Sequence, residues 1–251
     1  MLGFHVIKTK YLKTSITFLN ILFFLNIPCY ATVIIDDFST TQIVVSSSSS
    51  CITGPGIIGG ERDVQVETRT STATADINNT VLGQLYYTNG TGGLNYLRLV
   101  YDGIDSSYGN HNYSGLGHID LTDGGTCNGI AFDFTQTSGN MTSIFVTLWQ
   151  GQDRMGHTSE LLMDSPQTIF MPFDNFNTEP WAASLSEPYN ANDVSLIDFT
   201  DVGYIHIEMA IWNGDGDFTL NSITTAYGIP EPTTVLLIGM GGVVLLRRRG
   251  R

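Results

Sequence analysis

The sequence predicts an all-β fold, built as an antiparallel sandwich of two sheets. Three observations lead to this class. Short apolar–polar alternations recur between residues 32 and 227, turns rich in Gly, Asn and Asp separate them, and no amphipathic helix interrupts them. Roughly nine to eleven strands fit the pattern. A stretch of this length can bury one hydrophobic core.

The clearest strand covers residues 61–67, where Val64 and Val66 face one side and acidic residues and Gln65 face the other. Further β-prone segments are predicted, in chain order, at residues 33–35, 68–87 (interrupted at Asn78 and Asn79), 94–101, 129–135, 142–150, 160–163, 168–173, 202–212 and 218–227.

Polar segments separate these strands. A five-serine run and a glycine-rich stretch predict a loop over residues 46–60. Turns rich in Gly, Asn and Asp are predicted at 89–93 and 213–217. The longest irregular connections are expected at 102–125 and 175–198.

A jelly roll fits this strand pattern better than an immunoglobulin topology. The domain is longer than an immunoglobulin domain and lacks that fold's Cys…Trp…Cys spacing. The absence of an internal repeat argues against propellers and solenoids. We therefore expect a single jelly-roll sandwich over residues 32–227.

Four short motifs follow one another in the second half of this domain. They are Phe170-Met171-Pro172-Phe173-Asp174-Asn175-Phe176, Asp198-Phe199-Thr200-Asp201-Val202, Ile205-His206-Ile207-Glu208 and Asp217-Phe218-Thr219-Leu220-Asn221-Ser222-Ile223. This series is similar to that of galactose-binding-like jelly rolls, many of which are carbohydrate-binding modules. The resemblance implies the fold more than a function.

The first 31 residues have the three parts of a secretory signal peptide. Lys8, Lys10 and Lys13 precede an apolar run at residues 16–27, and Ala31 ends a small-x-small cleavage site. We expect a signal helix that signal peptidase removes after Ala31, so that the rest of the chain is exported.

Residues 228–251 also have three parts in a fixed order. Pro230-Glu231-Pro232 keeps the backbone extended, because proline fixes φ and biases its predecessor away from the helical region. An apolar run of about 12 residues follows, shorter than the ~20 that cross a bilayer as a helix. Four arginines close the segment and predict a cytoplasmic end: Arg247, Arg248, Arg249 and Arg251.

This tail resembles the PEP-CTERM sorting signal of Gram-negative and related bacteria. The resemblance implies recognition by an exosortase, a membrane enzyme of the transpeptidase type, after transient anchoring through a short transmembrane helix. It also implies delivery to the cell envelope or extracellular matrix, with exopolysaccharide and biofilm as the setting. An ordinary C-terminal membrane anchor is the alternative.

The charge of the segment between the two ends excludes several partners. Residues 32–229 contain four arginines, no lysine and 23 of the 24 acidic residues, a net charge of −19. Such a surface repels nucleic acid and anionic lipid, which bind basic faces. It is compatible with neutral glycans and with divalent cations.

Three tryptophans are the candidates for stacking on sugar rings. Trp149 has the strand parity opposite to Ile144 and Leu148, and Trp212 has the parity opposite to Ile211. Both are therefore expected on an outward sheet face or at its rim, and Trp181 lies in a predicted loop. The alternative is burial under a loop, since tryptophan is usually largely buried.

Acidic residues and cysteines give two further hypotheses. Asp215 and Asp217 lie in a segment with oxygen side chains at alternate positions, as in calcium loops, although a plain hairpin turn explains the same residues. The pair Asp36 and Asp37 is a second candidate for structural calcium. The two cysteines of the exported domain are expected to form a disulfide, because that compartment is oxidising, or else to be two buried thiols: Cys51 and Cys127.

No motif predicts an enzyme or an organic cofactor. The chain lacks the G-x-S-x-G elbow, its histidines have no fixed partner pattern, and 23 acids do not identify a catalytic pair. The favoured class is a non-enzymatic exported surface or matrix protein that associates with polysaccharide. A structural or adhesive envelope protein is the runner-up. An ice-binding protein, with only one short threonine row at residues 68–74, and a glycan-active enzyme fit less well.

Overall fold

The computed structural model describes residues 33–68, 72–90, 94–138, 142–152, 154–162, 166–176, 197–211 and 216–228. The predicted signal peptide, the tail from residue 229 onward, Trp181 and Trp212 lie outside these residues. Within the described ranges no helix has the length and apolar character needed to cross a membrane.

Thirteen strands and two 3-10 turns occur in this part of the chain. The strands are β1 (Ile34–Asp36), β2 (Gln42–Val45), β3 (Ser48–Thr53), β4 (Glu61–Thr68), β5 (Ala73–Ile77), β6 (Leu85–Asn89), β7 (Asn95–Tyr101), β8 (Gly129–Ser138), β9 (Thr142–Gln150), β10 (Arg154–Leu162), β11 (Gln167–Pro172), β12 (Tyr204–Ile211) and β13 (Asp217–Ala226). The 3-10 turns are Ile58–Gly60 and Phe173–Asn175.

The strands form two antiparallel sheets. The seven-stranded sheet has the order β11-β8-β13-β6-β5-β2, and β1 also pairs with β13. The six-stranded sheet has the order β10-β9-β12-β7-β4-β3. The predicted antiparallel two-sheet sandwich is confirmed.

The last eight strands have the order of a jelly roll. One sheet contains β11-β8-β13-β6 and the other contains β10-β9-β12-β7, so that the chain crosses between sheets in the double Greek-key pattern of this fold. The remaining strands extend the two sheets at one side, because β5 and β2 continue the first and β4 and β3 the second.

Alternating side chains from both sheets fill the space between them. The six-stranded sheet contributes Val64, Val66, Leu97, Leu99, Ile144, Val146, Leu148, Ile205, Ile207 and Met209, and the seven-stranded sheet contributes Ile77, Leu85, Phe132, Phe134, Leu220 and Ile223. The apolar parity predicted for β4, β9 and β12 is therefore the side that faces the core. The opposite parity of each strand points away from it.

Two predictions about elements were wrong in the same way. The serine run predicted as a loop forms β3, whose residues pair with β4 from Ser48↔Val66 to Thr53↔Glu61. The short strand predicted at 160–163 is the end of β10, a nine-residue strand that pairs with β9 along its whole length. In both cases pairing with a neighbouring strand stabilises residues whose own β-propensity is weak.

Candidate functional site: the outer face of the six-stranded sheet

The six-stranded sheet turns a polar and aromatic face away from the core, which we call the outer face. Because side chains alternate along a strand, it comprises the residues between the core positions. The outer face contains Gln65 and Glu67 from β4, Tyr96 and Arg98 from β7, Phe145, Thr147 and Trp149 from β9, His157 and Ser159 from β10, and Tyr204, His206 and Glu208 from β12.

One row of residues crosses the middle of this face. The strand registers place its members directly opposite one another on five neighbouring strands: Gln65, Arg98, Glu208, Phe145 and Ser159. We call it the Arg98 row. With strands about 4.8 Å apart, the row is about 19 Å long, enough for a short oligosaccharide.

Arg98 is held at the centre of the row by three acceptors. Its Nε donates to Glu208 Oε2 at 2.6 Å, and its Nη1 donates to Glu67 Oε2 at 2.6 Å and to Gln65 Oε1 at 2.8 Å. Its guanidinium carbon lies 5.1 Å from the centre of the Tyr96 ring. The side chain is 23% exposed, so a fixed positive group with hydrogen-bonding neighbours is presented to solvent.

Half-buried aromatic rings lie in the row and beside it. Tyr96 lies beside Arg98, and Phe145 stacks on His157 with ring centres 6.1 Å apart and planes 18° from parallel. Tyr108, from the connection after β7, donates its hydroxyl to Gln65 Oε1 at 2.7 Å. Flat apolar rings next to fixed polar groups are the combination that binds sugars, whose ring faces are apolar and whose edges carry hydroxyls.

Trp149 lies on the outer face, as its parity predicted, but it is covered. Tyr113 packs on it with ring centres 5.1 Å apart, and Tyr113 also contacts Tyr204 at 5.3 Å. The Tyr204 hydroxyl is 3.1 Å from His111 Nδ1. Trp149 is only 3% exposed, so the prediction that it stacks on sugar is wrong, and the connection over residues 102–128 is the cause. The alternative stated for it, burial under a loop, is what the structure shows.

A glycine allows this connection to lie flat on the sheet. A Cβ on Gly203, just before β12, would lie 2.3 Å from the carbonyl oxygen of Tyr113. Only glycine therefore permits this approach, and Tyr113 can reach Trp149 because of it.

His206 lies between the Arg98 row and the covered aromatic residues. Its register partners are Val100 on β7 and Thr147 on β9, and its Nε2 is buried without a hydrogen-bond partner. Burial lowers the pKa of His206 to about 3, and the positive charge of Arg98 acts in the same direction. The imidazole is therefore neutral at physiological pH.

An acidic cluster lies at the β3–β4 side of the same face. Glu61 and Asp63 come from β4, and Asp102 and Asp105 follow β7. Burial raises the pKa of Asp63 to about 6 and that of Asp102 to about 7. Cys51 is opposite Asp63, and burial, followed by the effect of Asp63, raises the pKa of this thiol to about 12. No sequence motif predicts this cluster, because its members come from two segments that are far apart in the chain.

The acids predicted to bind calcium have other partners. Asp36 is buried and accepts two hydrogen bonds from Arg62 Nη1, at 2.9 and 2.8 Å, which corrects its assignment as a metal ligand. Asp37 Oδ1 accepts the Ser39 amide, and Asp217 Oδ1 accepts the Asn89 amide. Asp215 lies outside the described residues.

The expected disulfide does not form between the two described cysteines. Cys51 is on β3 in the six-stranded sheet, and Cys127 lies just before β8 in the seven-stranded sheet, where it is buried. Both are thiols in this structure. The prediction of a Cys51–Cys127 bond is therefore corrected. Cys51 has the parity of Asp63, which points away from the core, whereas Cys127 is buried before β8.

Comparison with protein-family models gives no match, and comparison with curated proteins gives none either. Among solved structures, a family 11 carbohydrate-binding module from Clostridium thermocellum in complex with a β-1,3-1,4-mixed-linked tetrasaccharide aligns with 79% of this chain and 97% of its own, at 15% identity and a TM-score of 0.41.

Two similar structures are hydrolases. An exo-β-agarase aligns with 79% of this chain but 25% of its own, at 12% identity and a TM-score of 0.40. A family 12 xyloglucanase from Bacillus licheniformis aligns with 74% of this chain and 98% of its own, at 7% identity and a TM-score of 0.40.

Proposed function

We propose that this protein is an exported, non-enzymatic surface or matrix protein that binds polysaccharide along the Arg98 row. The observation that carries the proposal is the row itself. A fixed guanidinium, a carboxylate and a side-chain amide lie in one line across the sheet. The half-buried ring of Phe145 continues that line, and the half-buried ring of Tyr96 lies beside it. Such a line suits an extended chain of sugars better than a single small ligand.

The arrangement of carboxylates favours binding over hydrolysis. A glycosidase needs two carboxyl groups in different states, one of them protonated as the acid. Glu208 in the row and Glu67 beside it are both ion-paired to Arg98 at 2.6 Å. The same guanidinium fixes both side chains in place, and their oxygens are positioned to accept hydrogen bonds from sugar hydroxyls.

Replacing the aromatic rings of Tyr96 and Phe145 should weaken polysaccharide binding. We expect Tyr96→Ala and Phe145→Ala each to raise the Kd for a soluble polysaccharide about tenfold, because each removes a stacking surface. Affinity electrophoresis in gels containing a panel of neutral polysaccharides identifies a ligand, and calorimetry then measures the Kd. The matched control is Tyr86→Ala, which removes a half-buried tyrosine of β6 in the other sheet.

The outcomes separate the candidate functions. If Tyr86→Ala and Tyr96→Ala lower the affinity for polysaccharide equally, the binding surface is not the Arg98 row. No binding to any polysaccharide would favour the runner-up, a structural or adhesive envelope protein. Release of reducing sugars from a bound polysaccharide would identify a glycan-active enzyme and contradict the proposal.

Export and sorting are part of the same proposal. Signal peptidase would remove residues 1–31, and an exosortase-type enzyme would process the tail after its short apolar helix has anchored the chain. What supports this is the distribution of charge. Basic residues outside the four arginines of the domain are confined to the two ends of the chain, and the domain at −19 has no affinity for anionic lipid.

Changing Pro230-Glu231-Pro232 to three alanines should block processing in the native host and leave export unchanged. The extended motif is what a processing enzyme can read without unfolding a helix, so its loss leaves the chain membrane-associated. Immunoblots of membrane, envelope and culture fractions measure this. The matched control changes Thr233 and Thr234 to alanine. If the alanine motif variant is processed and released as the wild type is, the tail acts only as an anchor.

A further inference from the structure

The acidic cluster beside the outer face contains two overlapping sets of potential ligand atoms. The donor atoms of Asp63, Asp102 and Asp105 all lie within 4.8 Å of one another, and so do those of Cys51, Glu61 and Asp63. Asp63 belongs to both sets. It therefore lies at the centre of the cluster.

The central carboxylate has no positively charged partner in the described part of the chain. Asp63 is 1% exposed, and neither of its oxygens has a hydrogen-bond partner in the described structure. Glu61 Oε2 is likewise buried and unpartnered. An ionised carboxylate that is buried without a counter-charge destabilises the fold. The unpartnered oxygens of Asp63 and Glu61 are inaccessible to solvent.

No arginine of the described chain neutralises the cluster. Arg62 follows Glu61 in sequence, but its side chain has the opposite parity and pairs with Asp36. Arg98 pairs with Glu67 and Glu208. Arg154, the remaining arginine in the described ranges, is exposed and donates to Gln150.

Backbone amides of the connection after β7 hold the carboxylates in place. Ser106 N–H donates to Glu61 Oε1 at 2.8 Å, Ser107 N–H to Asp105 Oδ1 at 2.8 Å, and Asn112 N–H to Asp102 Oδ2 at 3.0 Å. Each of these acids uses one oxygen to fix the connection. Glu61 thus keeps one oxygen free of hydrogen bonds, and Asp63 keeps both.

We propose that Asp63, Asp102 and Asp105 bind a calcium ion, which joins β4 to the connection after β7. A divalent cation supplies the missing counter-charge to the central carboxylate. Oxygen ligands favour Ca²⁺ or Mg²⁺ over softer metals, and an irregular set of carboxylates that includes loop residues fits calcium better than the strict octahedron of magnesium. The three proposed ligands are all carboxylates, and Cys51 is not among them, which favours calcium over zinc.

The test is calcium titration of the purified full chain after treatment with EDTA. We expect one calcium per chain by calorimetry at neutral pH. Free calcium at about 100 times its Kd should raise Tm by about 5–10 °C. Asp63→Asn should abolish both effects. Without calcium, this variant should unfold at the same temperature as the wild type or higher, because it removes an unpaired buried charge.

The control variant is Asp217→Asn, at the turn that the sequence predicted as a calcium loop. It should retain the calcium-dependent rise in Tm. The proposal is overturned if calcium does not change Tm of the wild type, if Asp63→Asn keeps the rise, or if Asp217→Asn loses it. A larger rise with zinc that Cys51→Ser removes would also overturn it. None of these readouts depends on polysaccharide binding.

Discussion

Arg62→Met is expected to lower the free energy of unfolding by about 3–5 kcal/mol, because it leaves Asp36 as an unpaired charge in the core. Both side chains of this ion pair are inaccessible to solvent. The Arg62 guanidinium also donates to Gln42 Oε1 at 2.9 Å and to the Thr40 carbonyl at 2.8 Å. The Arg62→Met change therefore removes the hydrogen bonds that the guanidinium donates to Asp36, to Gln42 and to the Thr40 carbonyl.

The partner carboxylate is equally constrained. Besides Arg62, Asp36 accepts the Phe38 amide at 2.8 Å and the Tyr101 hydroxyl at 2.9 Å. The network therefore joins β1, β2 and β4 to β7, which come from both sheets. Breaking it loosens the contact between the two sheets at this end of the sandwich.

Urea unfolding at neutral pH, followed by tryptophan fluorescence, measures the loss. The matched control is Arg154→Met, an exposed arginine whose replacement should change stability by less than about 0.5 kcal/mol. The double variant Asp36→Asn/Arg62→Met should be more stable than Arg62→Met alone, because the unpaired charge is gone. Equal effects of Arg62→Met and Arg154→Met would show that the buried pair contributes nothing.

Strand positions were predictable because the relevant signal is local. In β9 and β12, alternate residues such as Ile144 and Ile205 are apolar, and a period of two identifies both the strand and its buried side. The same period of two also points to the buried ion pair of Arg62. Arg62 shares the parity of Val64 and Val66, so a charged residue on the core side of a strand should have predicted a buried counter-ion.

The acidic cluster could not be predicted in this way. Asp63 has the polar parity of β4, which the alternation assigns to the outward side, and that side is where it lies. Its burial results from the connection after β7, which brings Asp102 and Asp105 over the sheet. The part of a sheet that a loop covers depends on strand order and register. Local periodicity in the sequence does not reveal either of them.

The same limitation explains Trp149. Its parity gave the correct face, but the sequence does not indicate that Tyr113 folds back over it. The half-buried aromatic rings of the outer face include Tyr96 and Phe145, which no motif in the sequence distinguishes. Strand parity therefore gave the face of Trp149 but not its accessibility, and Trp181 and Trp212 lie outside the described residues.

Most of the described arginines are engaged in ion pairs and do not offset the other acids. Of the three in the described ranges, Arg62 is buried with Asp36 and Arg98 is engaged by Glu67 and Glu208. Within the described ranges, Arg154 is the one arginine left to offset the surface acids. The surface is therefore more uniformly negative than the composition implies, which suits neutral sugars and divalent cations as ligands and repels polyanions.

The pH dependence of stability should show the contribution of His206, the neutral histidine of the outer face whose Nε2 is buried. Its pKa is lowered from 6.5 to about 3 in the folded protein, first by burial and then by Arg98, His111 and His157. In the unfolded chain it has its ordinary pKa. The stability that depends on it is thus present above pH 6.5 and is lost as pH falls toward 3, because only the unfolded chain takes up a proton.

We expect the wild type to lose about 2 kcal/mol of stability relative to His206→Gln between pH 6.5 and pH 5, at about 1.4 kcal/mol per pH unit. Comparing the two proteins isolates His206, because the buried carboxylates with raised pKa values are present in both and stabilise the fold on acidification. Urea unfolding at half-unit pH steps measures the difference. His118→Gln, which replaces an exposed histidine, should keep the loss seen in the wild type. Parallel stability curves for the wild type and His206→Gln would show that the buried imidazole gains a proton as easily as an exposed one, and that the outer face at β12 is open to water.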